Sequence, residues 1–340
     1  MTGNIGQTRQ RQWIFWLWLL GAFALLVAAG ALFIGPSGIP LQKIVQVFWD
    51  RQGGIEGQII FGIRLPRLLL GFAIGGALSL AGVILQGMFR NPLVEPYTLG
   101  ISGGAAVGVS LSILFGLYKL SILSMPLAGF SGACAMTLLL YGLNAKRKVL
   151  SLQGLLLTGV MINFIASSLI MLFLALSRSE DLQGIIFWIM GSLDEPNGFL
   201  IQIALGASLL FLFATYFFHA DLNALALGEE EALHLGVRVE RTKRLLFVIT
   251  SLLVGISVAV AGMIGFVGLV VPHFMRRIVG RDHRILLVAS FLGGGVFLVF
   301  CDTIARTVIA PLELPVGVIT GILGGSLFVW VLTRARGGTI

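Results

Sequence analysis

Ser102 and His273 are a potential nucleophile and a potential base that lie in two separate apolar segments. Ser102 occurs within Gly100-Ile-Ser-Gly, and a histidine that accepts the hydroxyl proton turns such a serine into a nucleophile. This combination predicts, as one alternative, an intramembrane serine protease. The spacing of Gly100, Gly104 and Gly108 favours a different interpretation, because residues four apart share the helix face on which another helix packs closely. We therefore expect a packing role for this segment.

Charged side chains near the ends of apolar runs form a second group. Arg64 and Arg67 precede one long apolar run, and Asp302 and Arg306 close another. The planar guanidinium group binds a carboxylate through two parallel hydrogen bonds, and Asp302 and Arg306 are spaced to pair on one helix face. Ion-coupled carriers usually hold carboxylates at membrane depth. Their scarcity here favours an energy source outside the chain and leaves an ion-coupled secondary transporter as an alternative.

Asn163 lies within an apolar run, where an amide without a hydrogen-bond partner is costly. We therefore expect its side chain to face a polar path. Thr158, Ser167 and Ser168 belong to the same run, but hydroxyl groups in helices commonly bond back to the preceding turn.

Two kinds of site are missing from the sequence. A P-loop requires Gly-Lys followed by Ser or Thr, and no Gly-Lys pair occurs. Cys134 and Cys301 are far apart and outside any CxxC motif, so we expect small buried side chains and neither a disulfide nor a metal site. The sequence predicts no cofactor in this chain, and any use of ATP requires a separate subunit.

The composition identifies the elements that must position these residues. Of the 340 residues, 57% are hydrophobic and 11% are charged, which is too little charge for a water-facing surface. Runs of about 20 apolar residues predict membrane-spanning helices, and the strand alternation of a β-barrel is absent. We predict an all-α polytopic membrane protein, forming one domain over residues 1–340, with about ten transmembrane helices. The runs are 13–34, 65–87, 97–116, 121–143, 149–176, 198–218, 244–263, 266–279, 285–304 and 316–333.

The basic residues predict the orientation of these helices. When the spans alternate from a cytoplasmic N-terminus, 16 of the 23 lysines and arginines fall on the inside. Both termini are then cytoplasmic, and the net charge of +8 requires no nucleic-acid partner. The first run is longer than the apolar core of a cleaved signal peptide, so we expect it to be retained. The eighth run is short for a full span, and we expect it to be tilted, broken or buried in protein.

Two patterns concern the packing of the helices. Arg64-Leu-Pro-Arg67 before the second run has a counterpart in Arg241-Thr-Lys-Arg244 before the seventh, which predicts a weak inverted repeat of helices 2–5 and 7–10. Glycine makes up 45 of the 340 residues. Several glycines lie four apart and predict close helix contacts: Gly71 and Gly75; Gly100, Gly104 and Gly108; Gly317, Gly321 and Gly325.

Four motifs in order resemble the FecCD-type permeases of ABC importers, which carry iron–siderophore complexes, haem or cobalamin. They occupy residues 64–108, 222–236, 265–273 and 313–325, and the resemblance covers about 60–335. It implies a non-enzymatic permease of the bacterial inner membrane that takes up a metal chelate, with iron–siderophore as first choice and haem or cobalamin next. The implied partners are a second copy or a paralogue, two ATPase subunits that hold ATP and Mg²⁺, and a periplasmic or lipoprotein substrate-binding protein.

Residues 221–237 resemble the coupling helices that seat in the ATPase subunits of this family. Asp221 is a plausible N-cap, Gly228 a stop, and three glutamates then open a second helix. We expect Leu222, Leu225, Leu233 and Leu235 to share one apolar side. The resemblance implies a set of ATPase-coupling residues: Leu222, Leu225, Gly228, Glu229, Glu230, Ala232, Leu233 and Gly236.

The resemblance also implies two further sets of residues. Arg64, Arg67 and Arg306 would pair with carboxylates on the docked binding protein, although arginines at helix ends also anchor lipid phosphates. Positions at the inner ends of the second and fifth spans would line the gate of the path. Together with Asn163, the predicted path residues are Asn91, Leu93, Ser151, Leu152 and Gln153.

Overall fold

A computed structural model describes residues 3–36, 38–50, 54–145, 152–195 and 197–335. Within this part of the chain all regular structure is helical. Helices α1 to α15 are Gly3–Phe33, Leu41–Asp50, Ile55–Gly57, Leu65–Met88, Ile101–Leu114, Ser124–Ala145, Leu152–Leu176, Ser179–Met190, Gly198–Tyr216, His219–Leu227, Glu229–His234, Val239–Ala261, Val267–Val279, His283–Thr307 and Val316–Ala335. A π-helical segment, Gln58–Arg64, joins α3 to α4, and a 3₁₀ turn, Pro96–Leu99, precedes α5.

Seven helical segments among the described residues are long and apolar enough to cross a membrane. They contain α1, α4, α6, α7, α9, α12 and α14, and α5 and α15 are shorter apolar helices. With the 13-residue α13, these helices coincide with the ten predicted runs, and the count of ten spans stays a prediction. The third run is not a full-length helix as we expected, because its first residues form the 3₁₀ turn and α5 has only 14 residues. Helices α2 and α8 lie between the predicted apolar runs.

The bundle has two ends, which we name after their contents. The α10–α11 end carries these two short helices, and the Arg67 end lies opposite, at the start of α4. Helix α4 spans the distance between them, since its last turn brings Gly87 close to Leu222 of α10. Helix α1 starts at the α10–α11 end, where Trp13 lies 5.9 Å from the guanidinium of Arg284, and finishes beside Arg306.

Glycines allow α4 to pack closely at the centre of the bundle. A Cβ on Gly75 would overlap the carbonyl oxygen of Gly294 on α14, and a Cβ on Gly82 would overlap that of Gly268 on α13. The predicted close contacts are therefore confirmed for α4, and equally for Gly104 and Gly108 of α5, which lie against α6. The prediction is wrong for Gly321, which has no atom within 4 Å of where its Cβ would be.

The two halves of the chain pack through matching pairs of helices. In the predicted repeat, α4, α5, α6 and α7 correspond to α12, α13, α14 and α15. Helix α4 contacts α14, and α12 contacts α6 in the same way. Helix α5 contacts α7, and α13 contacts α15. A two-fold axis that relates α4–α7 to α12–α15 would produce these matching contacts. The inverted repeat itself stays a prediction.

Candidate functional site: the junction of two half-length helices

Helices α5 and α13 both begin inside the bundle rather than at one of its ends. Gly268, in the first turn of α13, lies against Leu78 and Pro96, so the chain before α5 reaches the level of Leu78 to Gly82 on α4. That level is six to ten residues from the end of α4 at Met88, or about 9–15 Å at 1.5 Å per residue. Irregular backbone at such depth is stable only where protein surrounds it. We call the meeting point of 93–100 and 262–268 the half-helix junction.

Two side chains from the segment before α5 hold the start of α13. The backbone N–H of Phe266 donates to Oε1 of Glu95 at 2.5 Å, and the N–H of Ile264 donates to the hydroxyl of Tyr97 at 2.8 Å. A carboxylate at the N-terminus of a helix satisfies a free donor and interacts favourably with the helix dipole. Glu95 therefore closes an N-terminus that has no side-chain cap of its own. Glu95 lies between the second and third predicted runs, and no pattern in the sequence indicates this role.

Gln86 of α4 ties the same segments together from the side of the α10–α11 end. Its amide nitrogen donates to the carbonyl of Gly268 at 3.1 Å, and at 3.4 Å to those of Val94 and Leu269. Its amide oxygen accepts from the guanidinium of Arg276 on α13. One buried amide thus fixes α4, the segment before α5 and α13 relative to one another. No motif marks Gln86 in the sequence, but the short eighth run indicates where such contacts are needed.

The predicted path residues divide between the junction and the α10–α11 end. Asn163 of α7 donates to the carbonyl of Tyr97 at 2.7 Å, so its amide is satisfied by backbone at the junction. Asn91 accepts from the N–H of Leu93 at 2.9 Å and shapes the turn after α4. The remaining positions differ in accessibility: Leu93 and Gln153 are exposed, and Leu152 is half-buried. Ser151 lies outside the described residues.

At the Arg67 end, a network of buried charges replaces the exposed arginines that we expected. Arg67 donates from Nε to Asp302 at 2.9 Å and from Nη1 to Glu313 at 2.6 Å. Arg306 lies 2.9 Å from the other carboxylate oxygen of Asp302. The predicted pairing of Asp302 and Arg306 across one helical turn is therefore confirmed. Asp302 stands between two guanidinium groups, and both its side chain and that of Arg67 are buried.

Arg64 and Arg306 lie at the C-terminal end of α1 and bind its last carbonyl groups. Arg64 donates to the carbonyls of Leu32 at 2.6 Å and Phe33 at 3.2 Å, and Arg306 donates to that of Ala31 at 3.4 Å. Cations at a helix C-terminus satisfy free carbonyls and complement the helix dipole.

The expected exposure of the three docking arginines is wrong for this structure. Arg64, Arg67 and Arg306 are 2%, 5% and 4% exposed. Their acceptors lie as many as 275 residues away in sequence, so spacing alone does not reveal them. Docking through these side chains stays a prediction, and it requires them to leave their internal partners.

The two short helices at the other end follow the predicted plan. Helix α10 ends before Gly228, whose φ of 152° separates it from α11, and the three glutamates form the first turn of α11. Gly236 follows with φ of +83°. The predicted N-cap is wrong, because α10 begins two residues before Asp221. That carboxylate instead accepts from the hydroxyl of Thr242 at 3.1 Å.

The predicted coupling residues are only partly available to a partner. Leu222, Leu225, Gly228 and Ala232 are buried against the bundle, and Glu229 is tied to the buried ammonium of Lys243 at 3.0 Å. Glu230, Leu233 and Gly236 are exposed. The expected single apolar side is therefore wrong. Leu222 and Leu225 face the core, whereas Leu233 and Leu235 face outward together with Leu227.

The residues proposed for protease chemistry are not coupled. The Nε2 atom of His273 has no hydrogen-bond partner among the described residues, so it does not contact the hydroxyl of Ser102. Ser102 is buried in α5, a helix whose Gly104 and Gly108 pack on α6. Within the described ranges, no group of three potential metal ligands occurs, and Cys134 and Cys301 are free thiols.

Comparison with known proteins agrees with this architecture. The FecCD transport family profile matches residues 19–334. The vitamin B12 import system permease protein BtuC of Klebsiella pneumoniae is 39% identical over 336 residues, which cover 98% of this chain and 97% of that protein. The hemin transport system permease protein HmuU of Yersinia pestis is 41% identical over 281 residues, covering 82% of this chain and 84% of its own.

A solved structure shows the same arrangement of helices. It is an inward-facing conformation of a metal-chelate type ABC transporter, with a TM-score of 0.83 and 31% identity, covering 95% of this chain and 99% of the other. The match of the family profile to most of the chain, with close relatives along its length, establishes the relationship. This chain belongs to the FecCD transport family of multi-span membrane permeases.

Proposed function

We propose that the chain is the membrane-spanning subunit of an ABC importer for a metal chelate, which works by alternating access and has no enzymatic activity of its own. The observation that carries this proposal is the half-helix junction in a member of the FecCD family. Paired broken helices at membrane depth are where transporters place their substrate paths and switches. Iron–siderophore is our first choice of cargo, with haem and cobalamin next. The names of the HmuU and BtuC relatives support a cargo of this class.

The assembly requires partners at both ends of the bundle. We place the α10–α11 end and both termini in the cytoplasm of a bacterial inner membrane, since basic residues concentrate there. Two ATPase subunits, which hold ATP and Mg²⁺, would contact the exposed surface formed by Leu227, Glu230, Leu233 and Leu235. A periplasmic or lipoprotein binding protein would deliver the chelate at the Arg67 end. A second copy of this chain, or a paralogue, would complete the path.

The gate of the path lies, in this proposal, between the junction and the cytoplasm. Asn91 and Leu93 follow α4, Leu152 and Gln153 are the first residues of α7, and Ser151 precedes them in the sequence. The first segment leads into the 3₁₀ turn before α5, and the second leads into α7. These two parts of the chain meet at the junction, where Gly159 of α7 packs on the backbone of Thr98 and Leu99. Movement of α10 and α11 by the ATPase would therefore reach the gate through α4 and α7.

The test is transport by the complete complex in proteoliposomes. The chain is reconstituted with the ATPase and binding protein encoded beside its gene, and uptake of a ferric siderophore, haemin and cyanocobalamin is compared with and without ATP. We expect ATP-dependent uptake of one of the three, and no ATP hydrolysis by the purified chain alone. Uptake driven by a proton gradient without ATP would instead support an ion-coupled carrier. Labelling of Ser102 by a fluorophosphonate would support a protease.

A further inference from the structure

A cavity of about 630 Å³ opens at the α10–α11 end, between the last turn of α4, the turn that follows it, α10 and α13. Six basic or imidazole side chains line it: Arg90, Arg276, Arg277, Arg281, His273 and His283. No acidic residue belongs to the lining. We call this space the basic cavity. Its size is within the range of pockets that hold small molecules.

The positive charge of the basic cavity is not neutralised within the described chain. None of its four arginines lies within 4.0 Å of a described carboxylate. The hydrogen bonds of Arg276 to Gln86 and of Arg90 to the carbonyl of Leu227 involve neutral acceptors. Like charges held close together repel one another, and a bound anion would relieve that repulsion.

Two acidic side chains lie near the cavity without entering it. Glu231 approaches Gly228 from the side on which Arg90 also lies. Asp282 accepts from the amide of Asn223 and from the N–H of Arg284, both at 3.0 Å. Asp282 therefore serves as the cap of α14, and the centre of the cavity remains electropositive.

Each of the two histidines in the lining keeps a ring nitrogen without a hydrogen-bond partner among the described residues. The Nε2 atoms of His273 and His283 are buried and have no hydrogen-bond partner among the described residues. The amide nitrogen of Asn223 donates to Asp282, so its oxygen faces His283, whose Nδ1 lies 2.8 Å away and must be the donor. The Nε2 atom of His283 packs beside Gly87, so this ring joins α14 to the last turn of α4 at the wall of the cavity.

The walls of the basic cavity come largely from helix ends: the last turn of α4, the C-terminal turn of α13 and the first residue of α14. Helices α4 and α14 are candidate membrane helices, so these ends would lie where lipid headgroups meet water. Phe274 and Ile278 lie on another face of α13 and line a separate, apolar groove. The C-terminal dipole of α13 favours nearby cations, but it does not account for Arg90, which comes from a different segment.

We propose that the basic cavity binds a phosphate group, carried by the headgroup of an anionic phospholipid or by a soluble phosphate compound. Several guanidinium groups that converge from different segments suit phosphate, because each can donate two parallel hydrogen bonds to its oxygens. A bound phosphate would join α13 to the turn after α4, beside Ala226 of α10. This site goes beyond the transport function proposed above and does not depend on the identity of the cargo.

The test is thermal unfolding of the purified full-length chain in a neutral detergent. Phosphatidylglycerol, phosphatidylcholine, sodium phosphate and sodium glutamate are each added at constant ionic strength, with chloride as reference. We expect phosphatidylglycerol, sodium phosphate or both to raise the midpoint by about 3 °C or more at saturation. Phosphatidylcholine and glutamate should have no effect. A rise with phosphatidylglycerol alone identifies the headgroup as the source, and a rise with phosphate shows that soluble compounds also bind.

Matched variants locate the effect. Arg277→Gln/Arg281→Gln removes two exposed cavity arginines and should abolish the rise. Arg241→Gln/Arg244→Gln removes two exposed arginines of α12 outside the cavity, and should keep it. If the first double variant folds poorly, Arg281→Gln alone serves as a second test, and it should reduce the increase in the unfolding midpoint. The proposal is overturned if neither phosphate source stabilises the protein, if glutamate stabilises it equally, or if both double variants respond like the parent chain.

Discussion

The Nε atom of Arg67 on α4 lies 2.9 Å from the carboxylate of Asp302 on α14, and both side chains are almost completely buried. These residues are 235 positions apart in the sequence, and their pair fastens the two helices with the most extensive mutual contact in the bundle. Removing one partner of a buried ion pair leaves the other charge unpaired in a poorly solvated place. The pair therefore stabilises the Arg67 end of the bundle.

Arg67→Gln or Asp302→Asn should each lower the free energy of unfolding by about 3–5 kcal/mol, measured by denaturation in SDS. The double variant should lose less than the sum, because each single change already breaks the pair. Lys43→Gln is the control, since the exposed Lys43–Glu56 pair should contribute little to stability. If Arg67→Gln leaves stability unchanged but abolishes docking of the binding protein, the docking role is favoured instead.

Glu95 closes the N-terminus of α13, so the acceptor oxygen should matter more than the charge. Glu95→Gln keeps an oxygen that can accept from Phe266 and should retain most of the stability. Glu95→Leu leaves that N–H without a partner and should cost about 1–3 kcal/mol. Accessibility of a cysteine introduced at Ile264 to a thiol reagent measures the opening of the junction. Equal accessibility in both variants would contradict this role.

The backbones of α4 and α13 touch at Gly82 and Gly268, so added methyl groups should disrupt the junction. A Cβ on Gly268 would lie 2.7 Å from the ring of Pro96 and 2.8 Å from the carbonyl of Leu78. Gly82→Ala and Gly268→Ala should therefore cost at least about 1–3 kcal/mol, the usual cost of overpacking. Gly206→Ala on α9 is the matched control, because no atom lies within 4 Å of its Cβ position. We expect it to be neutral or slightly stabilising, and thermal unfolding of the three variants decides the comparison.

The two faces of α10 and α11 should respond differently to the same substitution. Leu222 is 0% exposed, so Leu222→Ala should cost about 2–5 kcal/mol of stability. Leu233 is 59% exposed, so Leu233→Ala should leave stability unchanged and weaken binding of the ATPase subunit. Thermal unfolding of the chain and the transport-coupled ATPase rate of the complex give the two readouts. Normal coupling in the Leu233 variant would place the ATPase contact elsewhere.

Features that depend on neighbouring residues along the chain were predicted well. The stop at Gly228 and the glutamates that open α11 follow from local backbone geometry and the helix dipole, which involve only a few consecutive residues. The short eighth run was expected to be tilted, broken or buried in protein, and α13 is a 13-residue helix that begins within the bundle. The third run misled us because its apolar residues continue through the 3₁₀ turn, and hydrophobicity does not reveal a break in buried backbone.

Features that depend on distant residues were not predictable. Arg64 and Arg306 were expected to pair with a docked binding protein, because a basic residue beside an apolar run has the same pattern whether it faces a partner or the carbonyls of another helix. Leu222 and Leu225 are buried, whereas Leu233 and Leu235 are exposed. This division depends on how α10 packs on α4, and the spacing of the leucines in the sequence does not indicate it. The role of Glu95 was not predicted, because the sequence does not show that the segment between the second and third runs turns back into the bundle.

The sequence by itself determined a chain of apolar helices, the two short helices near residues 221–237 and the family to which it belongs, because these follow from periodicity, caps and ordered motifs. Only the tertiary structure decided which charges are paired, where α5 and α13 meet, and that arginines from separate segments surround one cavity. The physical reason is that a hydrogen bond or ion pair acts over about 3 Å in space, whereas its two partners lie dozens to hundreds of residues apart along the chain.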